Sequence, residues 1–248
     1  MTKLTIIGAG SAVFTKNIFT DLMFIDDFKK MDIALVDIDE KRLKISHELL
    51  DVIAKKLNAS PNIKSYTNRK EALAGSDFVQ STIQVGGYNP SPVIDFDIPN
   101  QFGLKQTIAD TLGIGGIMRG LRTIPVLVDI GKDIMDLFPN SLWLQYVNLM
   151  CSNMIAITNA CPGIKSIGLC HSVQGNAEML ARDLNEKIED IDYLCAGINH
   201  MAFYKKFRKK NGNGGEDHYP KLKKLADDIV SDKITSTRSI GKDSESDK

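Results

Sequence analysis

The N-terminus constrains this chain most. An apolar run, Lys3–Ile7, leads straight into Gly8-Ala9-Gly10-Ser11, and helical sequence begins almost at once. A strand that turns into a helix over two glycines has the layout of a dinucleotide site. Gly8 permits the tight turn, and Gly10 lets the backbone approach a pyrophosphate resting on the helix N-terminus, where Ser11 sits. The third glycine of the usual pattern falls at Val13, so an ordinary strand-to-helix turn stays open as an alternative. The second strand ends Leu35-Val36-Asp37, which puts a carboxylate where an acid would bond the adenosine ribose. Such a carboxylate favours NAD over NADP by repelling a 2′-phosphate, a preference that nearby Arg42 weakens. The other role open to Asp37 is the N-cap of the next helix, which Asp39 could equally fill.

The pattern continues. Asp32–Asp37, Ile63–Thr67, Phe78–Ile83, Leu142–Val147 and Ser166–Leu169 are further short apolar or β-branched runs, read as strands. Helical periods lie between them, the clearest over Asp39–Leu57 and another over 116–137, where Pro125 is expected to kink or divide the helix. Strands alternating with helices imply parallel pairing through crossovers. The fold expected is α/β, a Rossmann-like doubly wound sheet. Beyond residue 190 the texture changes: Tyr193–Ile198 and Met201–Lys210 read as strands, Asn211–Gly215 as a hairpin turn and Tyr219–Val230 as a helix. The expected division is a nucleotide-binding domain over 1–190, the start of an α+β domain over 191–230, and a disordered polar tail over 231–248.

Lys and Arg number 31 against 31 Asp and Glu. That balance argues against a nucleic-acid partner, which needs a basic surplus. No apolar run is long enough to span a membrane, and the start does not read as a signal peptide. Four irregularly spaced cysteines do not form a disulfide framework, so a cytoplasmic setting with reduced thiols is expected.

Two of the polar residues stand out. Cys170 ends a buried strand, where α/β folds place ligand-facing loops. His200 follows another strand, in an Asn-His-Met turn. A thiolate and an imidazole at separate strand ends can converge on one divalent metal and leave positions open for substrate oxygens. A buried cysteine and a hydrogen-bonded histidine are the alternative. Softness alone would suggest zinc.

Several motifs now carry a resemblance: Gly8–Ser11, Val36-Asp37-Ile38-Asp39, Asp110-Thr111-Leu112-Gly113, Arg119-Gly120-Leu121-Arg122-Thr123-Ile124-Pro125, Tyr146-Val147-Asn148, Gly168-Leu169-Cys170-His171-Ser172 and Gly197-Ile198-Asn199-His200-Met201. In this order, over residues 1–225, the chain resembles the NAD-dependent glycosidases of glycoside hydrolase family 4, in the α-galactosidase (melibiase) and α-glucosidase branch. The resemblance implies NAD and Mn²⁺ as cofactors, a small α-glycoside as substrate, and Cys170 and His200 as metal ligands. It implies that NAD⁺ takes hydride from C3 of the sugar, that the metal polarises the resulting ketone, and that a base removes the C2 proton. The C1 group then leaves, water adds and the hydride returns.

Other positions receive roles on the same basis. His171 is the candidate general acid, or a partner of the metal site. Asn148 would bond a sugar hydroxyl, or is a turn residue. Asp110 and Arg119 flank a Gly-rich loop, Leu112–Gly116, and would contact sugar or pair with each other at the surface. Asn199 would orient a sugar hydroxyl or its own loop. His171 stands where the phospho-glycosidase branch has an acidic residue, which argues against a 6-phosphorylated substrate. His47 and His218 fall outside the motifs and are expected to face solvent.

Three departures from the family count. Leu149 follows Asn148 where proline is usual, so the backbone aiming Asn148 is expected to be looser; Ile114 replaces another proline. Relatives are nearly twice as long, and no residue here matches the C2 base, so the second domain is expected to be truncated. Such a chain would be a glycosidase recorded as a shortened chain, or a non-catalytic NAD-binding remnant. A hydroxy-acid dehydrogenase, sharing the nucleotide half, has no need of the Cys170/His200 pair. Apolar surface left bare by the shortening is expected to cause aggregation or pairing with another chain, a homo-oligomer.

Overall fold

The computed structural model describes residues 1–106, 111–211 and 214–231. Contacts divide the chain into two compact units, Met1–Leu169 and Cys170–Lys248.

The first unit is a six-stranded sheet. Its strands are β1 (Lys3–Ile7), β2 (Asp32–Val36), β3 (Asn62–Tyr66), β4 (Phe78–Ser81), β5 (Leu142–Gln145) and β6 (Ser166–Gly168). They run in the order β3-β2-β1-β4-β5-β6, every pair parallel. The order reverses between β1 and β4, and ligands of doubly wound sheets bind at the carboxyl ends of strands beside such a reversal. All six expected strands are present to within two residues at each end. β1 and β2 are legible because strands covered on both faces read as continuous apolar runs, whereas β3 and β6 lie at the sheet edges and are exposed or half-buried.

Side chains alternate across the sheet. Ile33 and Leu35 of β2 join Leu4 and Ile6 of β1 in one core, with Phe19 and Met23 of α1 (Ala12–Met23) and Leu43 and Leu50 of α2 (Glu40–Lys56). Ala34 and Val36 point the other way, into a core with Leu73 of α3 (Arg69–Leu73), Leu127, Ile130, Ile134 and Trp143. Trp143 is fully buried, and its indole N–H donates to Ser81 Oγ at 3.0 Å, the partner a buried indole needs.

After α4 (Ser91–Gln101) comes α5 (Gly113–Leu137), which runs as one helix through Pro125. The expected division does not occur. Pro125 lies on the exposed side, and the Leu121 carbonyl that it leaves without a donor belongs to a residue 73% exposed, where water can satisfy it. The Gly-rich segment is the first turn of this helix rather than a loop. A Cβ on Gly116 would stand 2.7 Å from the Thr111 carbonyl oxygen, and one on Gly120 3.2 Å from the Leu149 side chain. The small residues make room for Leu149, which is buried just before α6 (Met150–Ala160).

The second unit consists of α7 (Ser172–Asp183), an antiparallel hairpin of β7 (Ile191–Ile198) and β8 (Met201–Lys209), and α8 (Tyr219–Val230). The sequence-based boundary lies at 190, whereas contacts group α7 with the hairpin, because Ala177 and Ala181 pack on Ile191 and Phe207. Asn199 and His200 close the hairpin. After β8 the chain turns back, pairing Asp217 with Arg208; of the expected Asn211–Gly215 turn, residues 212–213 lie outside the described residues, as does the expected tail from 232 onward. Leu194, Ile198, Met201 and Phe203 of the hairpin are all more than half exposed. His218 corrects the sequence reading: it is fully buried beneath Phe207, at a ring-centroid distance of 6.5 Å. His47 is also not free, since its Nδ1 bonds Ser65 Oγ at 2.7 Å.

Candidate functional site

In the first unit the turn after β1 is built as its glycines predict. Gly8 has φ +90°, and a Cβ there would lie 2.8 Å from the backbone of Thr82; only glycine fits. The N–H groups of Gly8 and Ala9 both bond the Val36 carbonyl at 2.9 Å, and Ser11 N–H bonds the Gly8 carbonyl at 3.0 Å. Asp37 closes the arrangement: Oδ2 accepts from Gly10 N–H at 2.7 Å and Oδ1 from Asp39 N–H at 3.0 Å. The cap of α2 is Asp39, whose side chain accepts from Lys41 and Arg42 N–H, so the N-cap alternative for Asp37 is removed. Val13, in the third-glycine position, is 59% exposed, so nothing there demands a glycine.

A cavity of about 1010 Å³ opens here, lined by Gly8, Ser11, Asp37, Arg42, Lys70 and Thr82 among others. Ile7 and Val36 line it at the carboxyl ends of β1 and β2, Thr82 and Ile83 just beyond β4, with Ile130 of α5 beside them. A partly apolar trough that holds the Asp37 and Asp39 carboxylates beside a glycine turn into a helix suits a dinucleotide.

Asn148 donates to Thr111 Oγ1 at 2.6 Å. The Asn148–Leu149 peptide is cis. The looseness expected around it is not seen: the neighbouring Val147 carbonyl accepts from both Gln145 and Asn153 side chains, at 2.9 and 3.0 Å. Arg119 is buried, not a surface residue, and donates to Gln84 Oε1 at 2.5 Å. Asp110 lies outside the described residues. Thr111 stands within the Asp110–Gly113 motif without a role of its own, and Gln84 lies outside the motifs, where an isolated Gln has no signature.

In the second unit, Cys170 Sγ stands 3.6 Å from His200 Nε2. Two metal bonds of ~2.3 Å to sulfur and ~2.05 Å to nitrogen, meeting at a tetrahedral angle, span about 3.6 Å, so the separation fits two ligands of one divalent ion. Among the described residues no group of three or more His, Cys, Asp or Glu is arranged to hold a metal. An ion at this pair would keep open positions, as catalytic metals do. Burial by itself would raise the Cys170 thiol; the Ser172 hydroxyl and N–H, the Asn199 side chain and the His171 N–H outweigh it and hold the thiol below its ordinary value. A stabilised thiolate is what a metal requires. Asn199 Oδ1 is buried and has no hydrogen-bond partner, an acceptor available to a ligand. His200 has φ +143°, a conformation that costs about 1–3 kcal/mol in a non-glycine residue and persists where its surroundings fix it. His171 is exposed, and its side chain does not cap α7.

Known proteins share this architecture. Residues 3–186 match the family 4 glycosyl hydrolases, and residues 195–247 match the family 4 glycosyl hydrolase C-terminal domain. An alpha-galactosidase of Bacillus subtilis is 46% identical over 229 residues, covering 91% of this chain and 51% of that protein. An alpha-galactosidase of Rhizobium meliloti is 35% identical, covering 87% and 44% respectively. The crystal structure of a 6-phospho-alpha-glucosidase from gut microorganisms, in complex with NAD and glucose-6-phosphate, superposes with a TM-score of 0.79 at 27% identity, covering 90% of this chain and 49% of that one. The chain spans about half the length of the curated relatives that it matches. This chain belongs to the family 4 glycosyl hydrolases.

Proposed function

We propose that the chain carries the cofactor- and metal-binding part of a glycosidase that cleaves α-galactosides or α-glucosides by NAD-dependent oxidation at C3, elimination and addition of water. The observation that carries the reading is the Cys170/His200 pair, 3.6 Å apart, with an unpartnered Asn199 oxygen in the residue beside His200. The names of the two alpha-galactosidases make an α-galactoside the first substrate to test.

When bound, NAD⁺ supplies a reversible hydride acceptor and Mn²⁺ a Lewis acid that makes the C2 proton removable. The chain's own residues bind and orient. Gly8 and Gly10 let the backbone approach the pyrophosphate where the helix begins at Ser11, and the carboxylate of Asp37 retains lone pairs for the adenosine ribose. Cys170 and His200 are the metal ligands. His171, exposed at the start of α7, carries a proton to the leaving oxygen. The candidates for contact with sugar hydroxyls are Asn148, Asp110 and Arg119 in the first unit and, separately, Asn199 in the second.

The four free thiols fit a reducing, cytoplasmic setting. Among the described residues no helix is long and apolar enough to cross a membrane. The exposed apolar hairpin residues fit a homo-oligomer, which light scattering on the purified chain tests.

The function is tested by release of nitrophenol from nitrophenyl α-galactoside and α-glucoside, with NAD⁺ and Mn²⁺ each present or withheld. Turnover that needs both is the expected result. Tight NAD⁺ binding without turnover would leave a nucleotide-binding protein and overturn the catalytic reading.

A further inference from the structure

The Ser172 hydroxyl sits against both members of the pair. Its Oγ is 3.1 Å from Cys170 Sγ and 3.3 Å from His200 Nε2, and its own backbone N–H points at the same sulfur at 3.4 Å. A serine in the first turn of a helix ordinarily bonds backbone nearby; this one bonds two side chains, one of them 28 residues away. His200, for its part, holds a strained backbone conformation in the hairpin turn, so its imidazole has to be held in place by neighbours.

We propose that Ser172 is a positioning residue of the metal site: its hydroxyl spaces Cys170 Sγ and His200 Nε2 at the separation a shared divalent ion requires. The inference rests on the reading of those two residues as ligands. A hydroxyl has one proton and two acceptor sites. It donates to the sulfur whenever the sulfur is a thiolate, the form a metal binds. The Ser172 backbone N–H does the same from the N-terminus of α7. Of these two groups only the hydroxyl also reaches the imidazole: in the metal-free protein it accepts from Nε2–H and so sets the distance between the ligands, and an ion that takes the Nε2 lone pair leaves the hydroxyl bonded to the sulfur alone.

The test uses the full chain with Co²⁺, read by its thiolate charge-transfer absorption, and with Mn²⁺, read by electron paramagnetic resonance. Wild type, Ser172→Ala, Ser172→Thr and Cys170→Ala are titrated, and the melting temperature of each metal-free protein is recorded. Ser172→Ala is expected to bind both ions on the order of 10- to 100-fold more weakly, the usual loss when a group supporting a ligand is removed. Its metal-free melting temperature is expected to match wild type, and Ser172→Thr to recover most of the affinity. Wild-type affinity in Ser172→Ala, with none in Cys170→Ala, would overturn the role of Ser172 and leave the site standing. Undiminished binding by Cys170→Ala would remove the site and the proposal together. An early melt of Ser172→Ala would mark a merely structural hydroxyl and also overturn it.

Discussion

Asp37 and Gly10 are locked together: the carboxylate Oδ2 accepts the Gly10 N–H at 2.7 Å, and a Cβ on Gly10 would fall 2.6 Å from that same oxygen. The acid at the end of β2 and the turn after β1 therefore form one device, which the absence of a side chain at position 10 makes possible. Gly10→Ala is expected to push the carboxylate aside and break a charge-assisted hydrogen bond. Such bonds contribute about 1.5–3 kcal/mol, so NAD⁺ affinity should fall on the order of 10- to 100-fold by calorimetry.

Asp37 should also set the choice of nucleotide. In Asp37→Ser the repulsion of a 2′-phosphate is gone while Arg42 and Lys70 still line the cavity. The ratio of NADP⁺ to NAD⁺ affinity is expected to rise by about tenfold or more, the scale of one displaced charge contact. An unchanged ratio in parallel titrations would remove Asp37 from the ribose.

Leu149 is 3% exposed, seated against Gly116 and Gly120 of α5. Leu149→Ala should destabilise the chain by about 2–5 kcal/mol through the lost burial and the cavity left behind. Chemical denaturation would show this as a lower midpoint with an unchanged slope.

How much of this was legible follows from what sequence encodes. Strands buried on both faces advertise themselves as apolar runs, and Gly8 announces a tight strand-to-helix turn because backbone geometry there admits no side chain. Burial of a single polar residue leaves no such trace. His218 sits one residue before an amphipathic helix and reads as solvent-facing, yet Phe207 from another element covers it completely. Ser172 looks like an ordinary first-turn serine, and its bond to His200 depends on a hairpin turn 28 residues away. Pro125 looks like a break, but its exposed face lets the helix continue. In each case the deciding fact is tertiary, set by which side of an element meets protein.

Tyr204 yields a pH prediction for the second unit. Its hydroxyl donates to the Val173 carbonyl, and burial, reinforced by Cys195 and Tyr193, pushes its ionisation up to about 12. A folded value above the unfolded one, near 10, means that the neutral phenol is stabilised. That stability is complete below pH 10 and is lost as pH rises through 12. Burial also raises Tyr146 and Tyr219, so tyrosinate difference absorbance should show a late phase with more than one component. In Tyr204→Phe the component near pH 12 should disappear. A single transition near 10 for all tyrosines would contradict the assignment.

The central claim, oxidation and elimination rather than direct displacement at C1, is tested most directly by the fate of the C2 hydrogen. The chain is incubated with NAD⁺, Mn²⁺ and nitrophenyl α-galactoside in heavy water, and proton magnetic resonance reads C2 of any sugar released. Removal and return of the C2 proton predicts deuterium at that carbon. Sugar released with its original hydrogen at C2 would contradict the account.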